Sequence, residues 1–458
     1  MLLTEDAVYI FQQAIAAVQP AVLLQSKLEV KSGVLYAEEL PFRLHPNGKI
    51  YVLAAGKAAA AMALATETIV GKMLSGGIAV TKYSHGLPLQ NMQLIEAGHP
   101  LPDAQSLIAA QAIIHFAQQL TEQDVVLFLL SGGASALLAD TPPGIALFEL
   151  QQTFQLLLAS GATIQEMNTL RKHLSAIKGG QLARLLMPAS VITFAISDVI
   201  GDDPSIIGSG PTFPDTTTFA DAWTVVLKYH LQHRIPNSVI QHLQKGLNGM
   251  IADTPENDDS CFKKTHYFLL GNNGTALQSA KNTAEKLGYH TTIVPRHLTG
   301  EAKEVGVAIV QQAIGYNGPR PGCLLFGGET TVTIQGKGLG GRNQELALSA
   351  ALALPEHSNL VILSGGTDGT DGPTDAAGAY TNIEQMQQAI QLGINATEYL
   401  QQNDSYHFFE AVNGLIKTGP TQTNVMDLVI VLIPRFYIHW HTSHSYKHNL
   451  CFNYSLFL

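Results

Sequence analysis

Thr330-Thr331-Val332-Thr333-Ile334-Gln335-Gly336-Lys337-Gly338-Leu339-Gly340-Gly341-Arg342-Asn343-Gln344-Glu345-Leu346-Ala347-Leu348-Ser349-Ala350-Ala351-Leu352 joins three kinds of sequence in one run. Residues 330–335 are rich in β-branched side chains and predict a strand. Residues 346–352 favour a helix. Between them lies a glycine-rich loop. A loop that opens a helix leaves backbone N–H groups free where the helix dipole favours an anion. Arg342 adds a permanent planar cation suited to phosphate or carboxylate. The run therefore predicts an α/β unit with an anion site at its strand-to-helix turn. Gly336-x-Gly338-x-x-Gly341 also matches a dinucleotide-binding loop. The acid expected after the next strand is not cleanly placed, because Asp368 lies beyond Ser364-Gly365-Gly366-Thr367.

The same unit recurs on both sides of this run. Ala7, Ile10, Phe11, Ala14 and Val18 fall at helical spacing and predict a helix over 5–27. A short apolar strand at 50–54 ends in Ala55-Gly56-Lys57 and hands over to a helix. A lysine at a helix start opposes the dipole, so a functional reason stands beside that of a solvated side chain. Strands at 78–80 and 125–130 flank a helix that Asp103 caps. The second of them ends in Ser131-Gly132-Gly133-Ala134-Ser135, a turn able to offer N–H groups and hydroxyls to a phosphate, or only to turn tightly. Met167, Leu170, Leu174 and Ile177 form an apolar helical stripe. Arg171 and Lys178 fall on another face, a pattern that is usually solvated. A strand at 191–196 ends in Ser197-Asp198-Val199-Ile200-Gly201-Asp202-Asp203. Carboxylates directly after a buried strand suit a general base or Mg2+ coordination.

Residues 236–263 are polar and predict a domain boundary or a long surface excursion. Beyond them, strands at 267–270, 291–294, 323–326 and 360–363 alternate with helices at 275–287 and 302–314. The strands end in turns such as Gly271-Asn272-Asn273-Gly274, Gly327-Gly328-Glu329 and the run from Ser364 through Asp368 and Asp371 to Gly372. Alternating strands and helices imply a mostly parallel, doubly wound sheet with helices on both faces. Ligands of such sheets gather beyond the carboxyl ends of the strands, and two α/β domains can bring those ends together across one cleft. The expected division is an N-terminal domain over 1–244, a C-terminal α/β region over 262–433 and an atypical tail over 434–458. That tail is aromatic and rich in histidine, and is expected to be disordered rather than a metal site.

Composition narrows the partners. The chain has 458 residues, and roughly 150 per domain allows two or three domains. With 46% hydrophobic and 14% charged residues it is a compact chain rather than a disordered one. A formal charge of −10 opposes broad binding to nucleic acid or anionic membranes. Cys261, Cys323 and Cys451 have neither disulfide-framework nor zinc spacing. With early acids at Glu5 and Asp6 and no long apolar run, the expectation is a cytoplasmic protein, monomeric or homodimeric.

No P-loop motif is present. Phosphoryl transfer nonetheless needs what these turns carry: cations, N–H cradles, Mg2+ and a base for the attacking hydroxyl. Lys57 and Arg342 supply the first, and Asp198 the last. Taken in order, Ala55-Gly56-Lys57-Ala58-Ala59, Ala97-Gly98-His99-Pro100-Leu101-Pro102-Asp103, Ser131 to Ser135, Ser197 to Asp202, Gly327-Gly328-Glu329-Thr330-Thr331-Val332, Gly340-Gly341-Arg342-Asn343-Gln344-Glu345 and Gly365 to Gly372 resemble the class II glycerate kinases, which carry a C-terminal MOFRL domain. The resemblance covers the chain to about residue 433. It implies a Rossmann-like first domain, an interdomain active site, and ATP- and Mg2+-dependent phosphorylation of D-glycerate to 2-phosphoglycerate. By matching motif, Lys57, Asp198 and Arg342 are the expected catalytic residues. Ser131, Gly132, Gly133, Ser135, Gly327, Gly328, Glu329, Gly340, Gly341 and Asn343 are expected to bind nucleotide or phosphate. Arg171, Asn273, Asp368 and Asp371 are expected near the substrate. Mg2+ is expected to ride mainly on the ATP phosphates, with Asp202 and Glu329 as candidate ligands. Some relatives carry the name hydroxypyruvate reductase, so an NAD(P)H-dependent reductase is the alternative. Gln422 departs from the family by standing where glycine is usual.

Overall fold

The computed structural model describes residues 3–435. The expectation for the tail falls, from residue 436 onward, outside the described residues. Three short strands, β1 (Leu28–Lys31), β2 (Val34–Ala37) and β3 (Leu40–Phe42), form an antiparallel meander. The first large sheet follows, with β4 (Ile50–Ala55), β5 (Leu74–Lys82), β6 (Gln93–Ala97), β7 (Val125–Leu130), β8 (Ser190–Ile196) and β9 (Thr265–Gly271). Its order is β6-β5-β4-β7-β8-β9, and every pairing is parallel. Strands covered on both faces need continuous apolar runs, and Val125–Leu130 is buried at every position. The chain winds from β4 outward to β6, then restarts beside β4 at β7. That reversal is the topological switch point, where the turns after two neighbouring strands diverge and leave a crevice.

The second large sheet contains β10 (His290–Ile293), β11 (Gly322–Gly328), β12 (Val361–Gly366), β13 (Gly378–Thr381), β14 (Leu415–Ile416) and β15 (Asp427–Ile433). Its order is β10-β11-β15-β12-β13-β14. Only β10 and β11 pair in parallel; β15 enters antiparallel between β11 and β12. Alternation of strands and helices therefore overstated the parallel character here. β15, the last strand among the described residues, takes a central place and is buried along its whole length.

Several local expectations change. Residues 330–335 are not a strand: β11 ends at Gly328, and only Thr331 makes an isolated bridge, to Glu301. β-propensity measures fit to a half-buried pleated surface. Among the described residues no strand pairs with this run, and Ile334 is 79% exposed. The dinucleotide reading of 336–341 loses its strand with it. The expected helix over 5–27 is two helices, Leu3–Ala17 and Pro20–Gln25, because Pro20 starts the second. The helix Ile164–His173 stops before Lys178, so Arg171 and Lys178 share no helical face. Within the supposed boundary, Asn237–Leu247 is a helix that buries Val239 and Leu243 in a core with Leu150, Leu157 and Phe219.

The division near residue 262 shifts as well. β9 belongs to the first sheet, and the helix Leu3–Ala17 packs on the second. Tyr289 Oη donates to Asp6 at 2.7 Å, and Phe11 lies against Gly365. One hydrophobic core therefore runs from Val52 and Leu127 through Phe11 to Leu363 and Leu432. That shared core holds the two sheets together on either side of a cleft. Among the described residues no helix is long and apolar enough to cross a membrane.

Candidate active site

The first wall of the cleft is the switch point. Lys57 N donates to Gly132 O at 2.9 Å, which ties the turn after β4 to the turn after β7. Ser131 is buried, and its Oγ accepts from Ala58 N at 3.1 Å, so this hydroxyl fastens the two turns together. Gly132 is needed for close approach, since a Cβ there would overlap Asp198 Oδ2. Gly133 adopts φ +86°, and a Cβ on it would press the His99 ring and Lys57 Cγ. Two adjacent glycines thus let Asp198, Lys57 and His99 crowd around one turn.

Electrostatics couple these groups to the second domain. Lys57 Nζ donates to Asp368 Oδ2 at 3.0 Å, reaching the loop after β12. Burial pulls the Lys57 ammonium down, but Asp368, with Asp198 and Glu329, outweighs it and leaves its pKa raised. Burial pushes the Asp198 carboxyl up, against the pull of Lys57 and Arg342. Asn424 Nδ2 donates to Asp198 Oδ2 at 2.9 Å. Glu329 is also raised by burial, with Arg342 opposing.

Two residues that sequence reasoning left unassigned join this wall. Lys82 ends β5, and burial followed by the Lys57 charge lowers its pKa. Among the described residues no carboxylate forms an ion pair with it. Burial, then Lys57 and Lys82, push His99 down to about 4, so its imidazole is neutral at pH 7. His99 was legible in its motif as a polar residue after β6. Lys82 carried no signal beyond its place at a strand end.

The second wall is built differently. The helix Arg342–Ala353 has the N-terminus expected for an anion, and the anion there is internal. Asp371 Oδ1 accepts from Asn343 N at 3.1 Å, and Oδ2 from Gln344 N at 2.8 Å. Burial pushes the Asp371 carboxyl up to about 6 against those two N–H bonds. A Cβ on Gly341 would overlap Asp371, so this glycine admits a carboxylate of the protein itself. Upstream, Gln335 N and Gly336 N donate to Asn403 Oδ1 at 2.8 and 2.9 Å, and Leu339 N to Asp404 Oδ1 at 2.8 Å. Gly340 packs against Ser405. The glycine loop is stitched to residues 402–405 rather than left open.

Arg342 is similarly engaged. Its Nε and Nη2 donate to Asp427 at 2.6 and 2.9 Å, and Nη1 pairs with Glu329 Oε1 at 2.8 Å. Asp427, the first residue of β15, was missed, because a strand buried on both faces gave no cue that its leading acid meets an arginine. Asn273 Nδ2 holds this segment through Val425 O and Asp427 O at 2.8 and 3.1 Å. Gly327 makes room for Asn273, and Gly328 packs on Leu298 backbone. Asn343 Oδ1 accepts from Ser364 Oγ at 2.7 Å. In this structure Gly327, Gly328, Gly340, Gly341 and Asn343 therefore serve internal contacts. Gln422 adopts φ +62°, a conformation that suits the glycine usual at that position.

The remaining candidates separate. Asp202 Oδ2 accepts from Asn272 Nδ2 at 2.6 Å, while Glu329 is held by Arg342. Among the described residues no group of three or more His, Cys, Asp or Glu is placed to hold a metal. Asp202 and Glu329 are therefore engaged with different partners, on the turns after β8 and β11. Ser135, Gly133, Asp198 and Arg171 instead line one cavity of about 520 Å³ under the helices Leu147–Ala159 and Ile164–His173.

Comparison with known proteins gives this geometry relatives. Residues 6–244 match a domain of unknown function, DUF4147, and residues 322–427 match the MOFRL family. The chain is 40% identical to the glycerate 2-kinase of Pyrococcus horikoshii, over 92% of this chain and 95% of that protein. It is 39% identical to a putative hydroxypyruvate reductase of Agrobacterium vitis, over 93% of each. Among solved structures, the glycerate kinase of Thermotoga maritima superposes with a TM-score of 0.82 at 37% identity, covering 94% of this chain and 99% of that one.

Proposed function

The chain belongs to the glycerate kinases that combine a DUF4147 domain with a MOFRL domain, and from that premise we propose that it transfers the γ-phosphoryl group of ATP to D-glycerate, giving 2-phosphoglycerate and ADP. The observation that carries this reading is the placement of Lys57 and Asp198 around the Gly132–Gly133 turn at the switch point. Phosphoryl transfer asks the protein for position and charge more than for covalent chemistry.

Asp198 takes the proton of the 2-hydroxyl as that oxygen attacks the γ-phosphorus. The new O–P bond forms while the bond to the β–γ bridging oxygen breaks, and ADP departs with that electron pair. A carboxyl raised by burial is a better proton acceptor than an exposed one, and Asn424 orients it. The Lys57 ammonium has three donors, so it can keep Asp368 and still meet the transferring phosphoryl. Lys82 is left to meet the glycerate carboxylate. Arg342 acts behind this layer by fixing Glu329 and Asp427. Mg2+ enters as part of the MgATP substrate, and no protein-borne metal site is invoked.

Phosphorus NMR of the product from D-glycerate and ATP tests the reading, with ADP release followed in parallel. A 2-phosphoglycerate resonance is expected. Oxidation of NADH or NADPH by hydroxypyruvate, with no ADP from ATP and glycerate, overturns it.

A further inference from the structure

Glycerate kinase activity needs one site for a small polar acid and another for a much larger nucleotide. The cavity of about 520 Å³ under the helices Leu147–Ala159 and Ile164–His173 has the volume for the second. Sites for ligands of that size typically span about 300–1,000 Å³ and combine apolar walls with a few polar groups. Here the floor is Gly133 and Ser135 after β7 and Asp198 after β8. The wall is apolar, with Leu150, Phe154 and Met167. The rim leaves Leu101, Leu158 and Ile164 exposed by 61, 65 and 49%. Large apolar side chains left open around a cavity mouth are ready to be covered by a planar apolar body.

Polar and charged groups line the cavity as well. The Arg171 guanidinium lies 5.4 Å from the Phe154 ring centroid, and its hydrogen bond to Asn168 Oδ1 is a long one, 3.5 Å. Among the described residues no carboxylate pairs with it. Burial is the only influence on its pKa, which it lowers. Lys178, also lining the cavity, is by contrast satisfied, through Leu138 O at 2.9 Å and Asp140 at 3.6 Å. A largely buried cation without a counter-charge is costly unless a ligand supplies the anion. Ser135 Oγ lies 2.9 Å from Ser209 Oγ, which donates to the same Asn168 Oδ1 at 3.1 Å, so a chain of hydroxyls runs beside the guanidinium.

Resting on the kinase reading above, we propose that this cavity is the nucleotide site: the base lies against Phe154, Ile164 and Met167, and the phosphates run past Arg171 and Ser135 toward Gly133 and Asp198. Glycerate then enters from the opposite side, beside Lys57 and Lys82. Every strand-end residue invoked lies at the carboxyl edge of the first sheet, so the γ-phosphoryl and the hydroxyl converge at Asp198.

Steady-state kinetics of Arg171→Gln, with ATP and glycerate varied separately, tests the assignment. The expected result is a KM for ATP raised at least tenfold with the KM for glycerate within twofold, and partial recovery in Arg171→Lys. Leu158→Asp, at an exposed rim position, gives the same split without risk to the core. Photolabelling of the wild-type protein with an azido-ATP should mark residues 147–167 and be blocked by ADP. A rise confined to the KM for glycerate assigns the cavity to the acceptor and overturns the proposal while the kinase reading stands. Unchanged KM values, or labelling elsewhere, also overturn it. Absence of ATP turnover in the wild-type enzyme is instead the failure of the kinase reading.

Discussion

Two turns that each carry a cation face each other across the cleft, and they are finished in opposite ways. At the turn after β4, Lys57 shares one carboxylate, Asp368, and remains among open groups: Lys82, His99 and the partly buried Asp198. At the start of the helix Arg342–Ala353, the N–H groups are taken by Asp371, and the guanidinium is taken on three nitrogens by Asp427 and Glu329. The first turn can meet a ligand; the second is an internal clamp. A glycine-rich loop before a helix is thus an anion site in both senses, and the chain's own carboxylates decide whether the anion comes from outside.

Removing the clamp should cost the most stability. Arg342→Ala leaves Asp427, with 4% of its side chain exposed, without its counter-charge. Loss of one partner of a buried pair costs about 3 kcal/mol at the lower end, appropriate because a third of Arg342 is exposed. Urea unfolding measures it, and an unchanged midpoint would break the contrast drawn here. Lys57→Gln keeps a donor for Asp368, so its unfolding midpoint should hold while kcat falls about a hundredfold, a barrier change of about 2.7 kcal/mol. Equal turnover in this variant and the wild type would remove Lys57 from the reaction.

A smaller effect sharpens the open side. Lys82→Gln should raise the KM for glycerate about tenfold, near 1.4 kcal/mol, with kcat little changed. A change in the KM for ATP instead would place Lys82 on the phosphates. His99 is held neutral, with its pKa lowered from 6.5 to about 4, so the unfolded chain takes up its proton first as pH falls. Stability associated with His99 is complete above pH 6.5 and is lost progressively toward pH 4. Thermal denaturation at pH 7 and 5 should show a smaller drop for His99→Gln than for the wild type. The smallest effect concerns the loop that carries Asn424 to Asp198. Gln422→Gly relieves a left-handed residue and should add about 0.5 kcal/mol of stability, read as a higher urea midpoint. A lower midpoint would show that the Gln422 side chain contributes packing that outweighs the strain.

Legibility followed the range of the interaction concerned. Strand-and-turn units such as Ile50–Ala55 with Gly56-Lys57, and Val125–Leu130 with Ser131 to Ser135, are local patterns, and they appear where the sequence places them. The run at 330–335, rich in β-branched residues, failed, because a strand also needs a neighbour to pair with. Nothing within those residues records that β11 has already ended. Arg342 was recognisable as a cation at a helix start. Its partner Asp427 lies 85 residues later, and the occupant of its N–H groups, Asp371, lies 28 residues from Asn343.

The order of apolar runs, glycine turns and charged strand ends was enough to fix an α/β chain, its family and the chemistry its turns could carry. It was enough because secondary structure and turn type depend on neighbours within a few residues. Which loop stays open, which cation is already neutralised and which cavity lies beside Asp198 were decided only when β4 met β7 and β15 slid between β11 and β12. Those outcomes depend on buried charges finding partners across the whole fold, and burial is a property the linear chain does not carry.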